Sequence, residues 1–107
     1  MKNRIIVEKL ISHIDKILGY CKDFDYEQFC GNSQLAEACV FNLSQMGEFA
    51  NRVDEEFAEV YSEIPWHSIY GLRNRIVHDY DGVNLKLIWE IIEEDLPSLK
   101  MELEKIK

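Results

Sequence analysis

Apolar residues in this chain of 107 residues return at every third or fourth position along almost its whole length, and nowhere do they alternate with polar ones. That spacing belongs to one face of an α-helix, whereas a half-buried strand needs a period of two. Val7, Leu10, Ile14 and Ile17 step 3-4-3 and form one stripe. Gly19 is the expected stop of this first helix. Residues 20–32 mix aromatics with acids, as in Phe24-Asp25-Tyr26-Glu27, and close on Gly31-Asn32. They predict a connector with room for one helical turn.

Asn32 or Ser33 can cap the next helix. Its stripe is Leu35, Cys39, Asn42, Met46, Phe49 and Val53, stepping 4-3-4-3-4 like a coiled-coil seam, with Phe57 and Val60 extending it. Asn42 falls inside the stripe. It is either a hydrogen-bonded core amide that fixes register or a polar group turned toward an active cleft. Asp54, Glu55, Glu56, Glu59 and Glu63 read as a solvated acidic face.

Ile64-Pro65 interrupts the pattern, and Pro65 suits the first position of a third helix whose apolar side is Trp66, Ile69, Leu72, Ile76 and Val77. Asp81-Gly82 is a turn signal. Asn84 can cap a last helix with the stripe Leu85, Ile88, Trp89, Ile92, Leu96, Leu99, Leu103 and Ile106. Pro97 lies inside that stripe and should kink or restart the helix near Asp95-Leu96. There are no repeats. The expected fold is all-α: one domain over residues 1–107, an antiparallel four-to-five-helix bundle with four main helices.

With 47% hydrophobic and 30% charged residues the chain is globular rather than disordered. No apolar run reaches the ~18–20 residues a membrane span needs, so no membrane is expected. The start, Met1-Lys2-Asn3-Arg4-Ile5-Ile6-Val7-Glu8, has an early acid and no cleavage-site pattern, which predicts no signal peptide. Cys21, Cys30 and Cys39 are odd in number and show no C-x-x-C spacing, as expected of reduced thiols in the cytoplasm. His13, His67 and His78 are not spaced to complete a zinc site, so neither metal nor cofactor is expected. A net charge of −8 argues against generic nucleic-acid binding, and DNA is not an expected partner. A local basic island, doubled by dimerisation, can still hold RNA.

Such an island exists. Arg73-Asn74-Arg75-Ile76-Val77-His78-Asp79-Tyr80 puts two guanidinium groups, an amide, an imidazole, a carboxylate and a phenol in one short segment. Residues 65–80 carry +1 with histidine neutral, in a chain of −8. Guanidinium forks match phosphate, so an anion, phosphate first, is the expected ligand. At about 100° per residue, Asn74 and His78 share a face one turn apart, and Arg73 shares a face with Tyr80 if the helix continues that far. Arg73 and His78 are then roughly 140° apart. Either the helix ends or distorts near His78, or the site is a cleft that wraps the helix, as two facing copies in a dimer would make.

A metal-independent ribonuclease needs a base for the ribose 2′-hydroxyl, an acid for the departing 5′-oxygen and a cation for the phosphorane. Histidine titrates in the right range for acid and base, and arginine suits the phosphorane. One such histidine per subunit makes a symmetric dimer a physical expectation. The plainer alternative is a histidine serving the helix dipole and last carbonyls, beside surface arginines. The pattern alone leaves both open.

At these residues the chain resembles HEPN-domain proteins of the HepT-like branch of ribonuclease toxins. That branch carries arginine, four residues, histidine, one residue, tyrosine, which here are Arg73, His78 and Tyr80, with Asn74 as the polar residue after the arginine. Ile64-Pro65-Trp66, Gly71-Leu72, Gly47-Glu48, Trp89 and Leu96-Pro97 agree, so the resemblance covers about residues 5–105. It implies an α-helical bundle that dimerises with both motifs lining one cleft, and metal-independent cleavage of RNA (tRNA or mRNA). It also implies a cognate antitoxin of the MNT-type minimal nucleotidyltransferase class, which attaches AMP to the motif tyrosine. Carried over, Arg73 and His78 are the catalytic pair, Asn74 supports them and Tyr80 is the modification target. Arg75, with Arg73 and Lys86 from both subunits, is expected to form the positive groove for RNA.

Two other readings compete with the ribonuclease. The bundle can be a non-catalytic nucleotide-binding or docking subunit for a separate nucleotidyltransferase, or a purely structural adaptor, against which the motif speaks. Among smaller candidates, Glu48 is either a surface acid or an orienter of an arginine across the cleft. Trp66 reads as core or interface, Tyr70 as a cleft lining, and His13 and His67 as surface or capping residues.

Overall fold

The computed structural model describes residues 2–80 and 84–106, with the side chains of Arg73 and of residues 77–80 outside that description. Helices make up most of the described chain, in the order α1 (Lys2–Cys21), α2 (Tyr26–Cys30), α3 (Ser33–Ala50), α4 (Glu55–Val60), α5 (Trp66–Tyr80), α6 (Leu85–Glu90), a π-helical turn (Ile91–Asp95) and α7 (Leu96–Ile106). The expected all-α fold is what forms. The four main helices are α1, α3, α5 and the rod made of α6, the π turn and α7. Among the described residues no helix is long and apolar enough to cross a membrane.

Three contacts fix the orientation of α1 against α3. Asn3 meets Asp54 just beyond the end of α3, His13 meets Asn42 in its middle, and Cys21 meets Cys39 near its start. Positions rise along one helix as they fall along the other, so the pair is antiparallel. α5 packs along the opposite side of α3, and α7 returns to α1, where Lys100 pairs with Asp15 at 2.7 Å. The molecule measures 41 × 27 × 18 Å, so it is about two helix diameters deep. In so shallow a bundle, each long helix keeps one face open to solvent.

The stripes read from the sequence are the core. Val7, Leu10, Ile14 and Ile17 are fully buried against Leu43 and Met46 in one continuous cluster, joined by Ile76, Ile92, Leu96 and Leu103. Burial of each such side chain contributes on the order of 1.5–3 kcal/mol before conformational entropy is subtracted. α1 runs two residues past Gly19, to Cys21, because Cys21 is itself buried against Cys39. α2 is the helical turn of the connector. Asp25 and Gln28 close a capping box around its start, and its buried Phe29 packs on Trp89 at 5.0 Å. Of the two candidate caps of α3, Asn32 acts: its side chain accepts from the Leu35 N–H at 3.0 Å.

The second stripe does not continue through Val60. α3 ends at Ala50, with Asn51 as C-cap, and the chain turns before the separate α4. The break is held from outside. The Asp54 carboxylate accepts from Lys2 and Asn3, both at 3.1 Å, while its backbone N–H donates to the Asn3 side chain. Val60 consequently stands 70% exposed. Pro65 sits one residue ahead of α5 rather than within it, its carbonyl accepting from the Ile69 N–H. The turn expected at Asp81-Gly82 lies outside the described residues, and Asn84 caps α6 by accepting from Leu87.

Pro97 leaves the expected mark. Its ring and missing N–H forbid ordinary helix through the preceding turn, and the chain answers with a wider one, in which the Leu96 N–H bonds to Ile91. Ile91 and Ile92 stay buried, so the core stripe survives the irregularity.

Candidate active site on helix α5

The motif helix is anchored at its start. Trp66 donates its indole N–H to the Tyr61 carbonyl at 3.0 Å and packs on Phe57. It is half-buried, as a core residue rather than a free stacking platform. Ile69, Leu72 and Ile76 form the buried side, which fastens α5 to the core. On the other side His67, Tyr70, Asn74 and Arg75 are exposed, and a Cβ added at Gly71 would meet nothing. The exposed polar residues are thus held on a rigid element whose other face cannot turn.

Helical backbone runs without interruption from Trp66 to Tyr80. The helix thus reaches past His78 and ends two residues on, at Tyr80. Positions 73 and 80 do fall on one side of the helix by register, and positions 74 and 78 on another. The side chains of Arg73, His78 and Tyr80 lie outside the described residues. Asn74 is exposed and makes no side-chain hydrogen bond among the described residues.

Arg75 and Asn74 are not brought to one place. Arg75 turns to a groove between α5 and the last helical rod, where Glu63, Glu94, Asp95 and Glu102 also stand. Lys86, exposed at the start of α6, does not line that groove. Within one subunit, then, Arg75 has carboxylates for company. Glu48 is half-buried on α3, the helix along which α5 packs. Tyr70 is 43% exposed, with the His67 ring 6.5 Å away.

The side chain that sequence reasoning missed is His13. It is half-buried, not a surface or capping group: its Nδ1 lies 2.8 Å from the Asn42 Oδ1, and its ring packs on Phe49 at 5.7 Å. Its place at the edge of the Leu10–Ile17 stripe was the available signal. Asn42 is the core amide of the two readings, buried and also donating to the Ala38 carbonyl at 2.8 Å. The Cys21 and Cys39 thiols touch at 3.6 Å, and the Cys21 hydrogen bond, helped by burial, pushes the Cys39 thiol up. No disulfide forms among the described residues.

The comparisons with known proteins agree with the motif. The profile of the family described as Ribonuclease HepT-like matches residues 10–106. A provisionally named RNase of Methanocaldococcus jannaschii is 33% identical over 97 residues, covering 91% of this chain and 84% of that protein. A provisionally named RNase of Caldanaerobacter subterraneus is 31% identical over 96% of this chain and 92% of its own length. The "Probable ribonuclease HepT" of Thermococcus cleftensis is 28% identical over 94% and 92%. No solved structure matches the chain. A match over nearly every residue, on an all-α bundle whose motif helix shows its polar side to solvent, makes the chain a member of the HepT-like ribonuclease family.

Proposed function

We propose that the protein is the toxin of a type II toxin–antitoxin system: a metal-independent endoribonuclease of the cytoplasm whose active cleft lies at a homodimer interface. The observation that carries this reading is the unbroken helix through the motif, with Asn74 exposed beside it. A straight helix holds Arg73 and His78 roughly 140° apart, so one subunit cannot aim both at one phosphate. Two facing copies of α5 can, because each supplies what the other turns away.

In that cleft a neutral His78 takes the proton of the ribose 2′-hydroxyl as its oxygen attacks phosphorus. The partner's His78, protonated, gives a proton to the departing 5′-oxygen. Arg73 stabilises the charge of the phosphorane, Asn74 orients the histidine or the phosphate, and Arg75 holds the RNA backbone at the edge. The products are a 2′,3′-cyclic phosphate and a 5′-hydroxyl. No step needs a metal or cofactor. The cognate MNT-type nucleotidyltransferase silences the site by joining AMP to the Tyr80 hydroxyl. The added phosphodiester brings negative charge beside Arg73, and its adenosine occupies space that RNA needs.

The test uses protein purified without its antitoxin, with labelled tRNA and mRNA in excess EDTA. Wild type cuts, and His78→Ala loses about 10²–10⁴-fold in rate with unchanged thermal stability. If wild type with unmodified Tyr80, verified by mass spectrometry, cuts neither RNA, the enzyme reading falls. A non-catalytic docking subunit for the nucleotidyltransferase then takes its place, a role that suits the net charge of −8.

A further inference from the structure

The groove between α5 and the last helical rod shares only Arg75, at its edge, with the ribonuclease reading, and it has a definite chemistry. It encloses about 440 Å³. Ile69 and Leu72 of α5 and Leu96 and Leu99 of α7, all buried in the core, form its floor. Among the described residues its rim carries Glu63, Glu94, Asp95 and Glu102 against one guanidinium, Arg75. Glu102 is partly offset by Lys105 at 3.0 Å, while Glu63, Glu94 and Asp95 are exposed and make no ion pair among the described residues. The π turn widens the rod where Glu94 and Asp95 stand, so the groove is built into the backbone around Pro97.

Shape and charge select the occupant. Along α5 the groove runs from Pro65 to Arg75, and along the rod from Ile91 to Glu102, in each case roughly 15 Å or about three helical turns. Two walls of that length with an apolar floor take a third helix. Four carboxylates against Arg75 disfavour a polyanion such as RNA within the groove itself. We infer that this groove docks an amphipathic helix of a partner protein that carries leucine-like residues along one edge and lysines or arginines on both flanks. The apolar edge covers Leu72 and Leu99, and the flanking cations meet Glu63 on one wall and Glu94 and Asp95 on the other.

The probe is a synthetic peptide of about fourteen residues, helix-stabilised, with leucines at i, i+3 and i+7 and lysines on the flanks. Its control has glutamates in place of lysines. Amide NMR spectra of the full chain are followed during titration with each peptide. The lysine peptide shifts the amides of Ser68, Leu72, Ser98 and Leu99 in a saturable manner, and the glutamate peptide does not. Glu63→Lys/Glu94→Lys weakens the lysine peptide about ten-fold, and raised salt weakens it further. Ser68→Trp, a second exposed position, plugs the groove and blocks binding without a charge change.

Shifts scattered over α1 and α4, or equal binding of both peptides, would overturn the inference. So would displacement of the lysine peptide by single-stranded RNA from those same amides, or a second copy of the chain covering the groove in sedimentation. The outcome is separable from the ribonuclease reading, because the amide shifts report peptide binding equally in His78→Ala, the variant that loses metal-free RNA cleavage.

Discussion

Asn42 on α3 and Asn74 on α5 are amides on two helices that pack along one another, and the chain treats them differently. Asn42 is buried and fully answered: the Ala38 carbonyl accepts from its amide, and its carbonyl faces His13. Asn74 is exposed and makes no side-chain hydrogen bond among the described residues. A buried amide without partners would cost more than its burial returns, so α1 supplies a histidine to it. An exposed amide has water and needs nothing, which leaves it available to something outside the subunit. The α1–α3 contact is therefore internally complete, whereas the outward side of α5 is a surface.

Substituting the two asparagines tests that difference directly. Asn42→Ala should lower the free energy of unfolding by about 1–3 kcal/mol, since it strands the His13 ring in a half-buried place. Urea denaturation measures it. Asn42→Leu combined with His13→Leu should recover most of the loss, because both partners are then apolar. If the double variant is no better than the single, the pair is not what holds this contact. Asn32→Ala, at the start of the same helix, should cost less, about 1 kcal/mol, by removing the one side-chain acceptor for the Leu35 N–H.

The two regions were also unequally legible. The buried one was readable because core stripes are periodic: every residue of the Val7–Ile17 stripe is buried, and Asn32, Asn84 and Pro97 act where their local chemistry directs. What escaped depends on contacts far apart in sequence. The apolar period gives no reason for α3 to stop at Ala50, just before the point where Lys2 and Asn3 reach Asp54 across the bundle. His13 looked like a surface residue because its partner lies 29 positions away. The acids of the groove are dispersed over the turn before α5, the π turn and α7, and only folding gathers them around Arg75. The motif itself was readable as local chemistry. That α5 stays helical as far as Tyr80 follows only from the fold.

Asn74→Ala is the counterpart on the open side, and smaller in stability. It should change unfolding free energy by no more than about 0.5 kcal/mol, as exposed substitutions do. It should also lower metal-free RNA cleavage roughly ten-fold or more, if it orients a charged group in the transition state. A cost in stability like that of Asn42→Ala would mean that the outward side of α5 is internally bonded after all, and the contrast between the helices would collapse.

The smallest effect belongs to the contact that ends α3. The Lys2 ammonium and the Asn3 amide hold the Asp54 carboxyl below the usual carboxylate range. A depressed folded-state pKa means that the folded protein binds the proton less readily than the unfolded chain does. The contribution is therefore fully present above the unfolded value, near 3.9, and is lost as pH falls through the lower folded value. Asp54→Asn should leave the acid arm of the stability curve shallower than in wild type, with little change in its shape above about pH 5. The difference should shrink in high salt, because the pair is exposed on both sides. An acid arm identical to wild type would mean that the Asn3 side chain, bonded to the Asp54 backbone N–H at 3.1 Å, suffices to turn the chain between α3 and α4. Charge would then play no part in setting where the long helix ends.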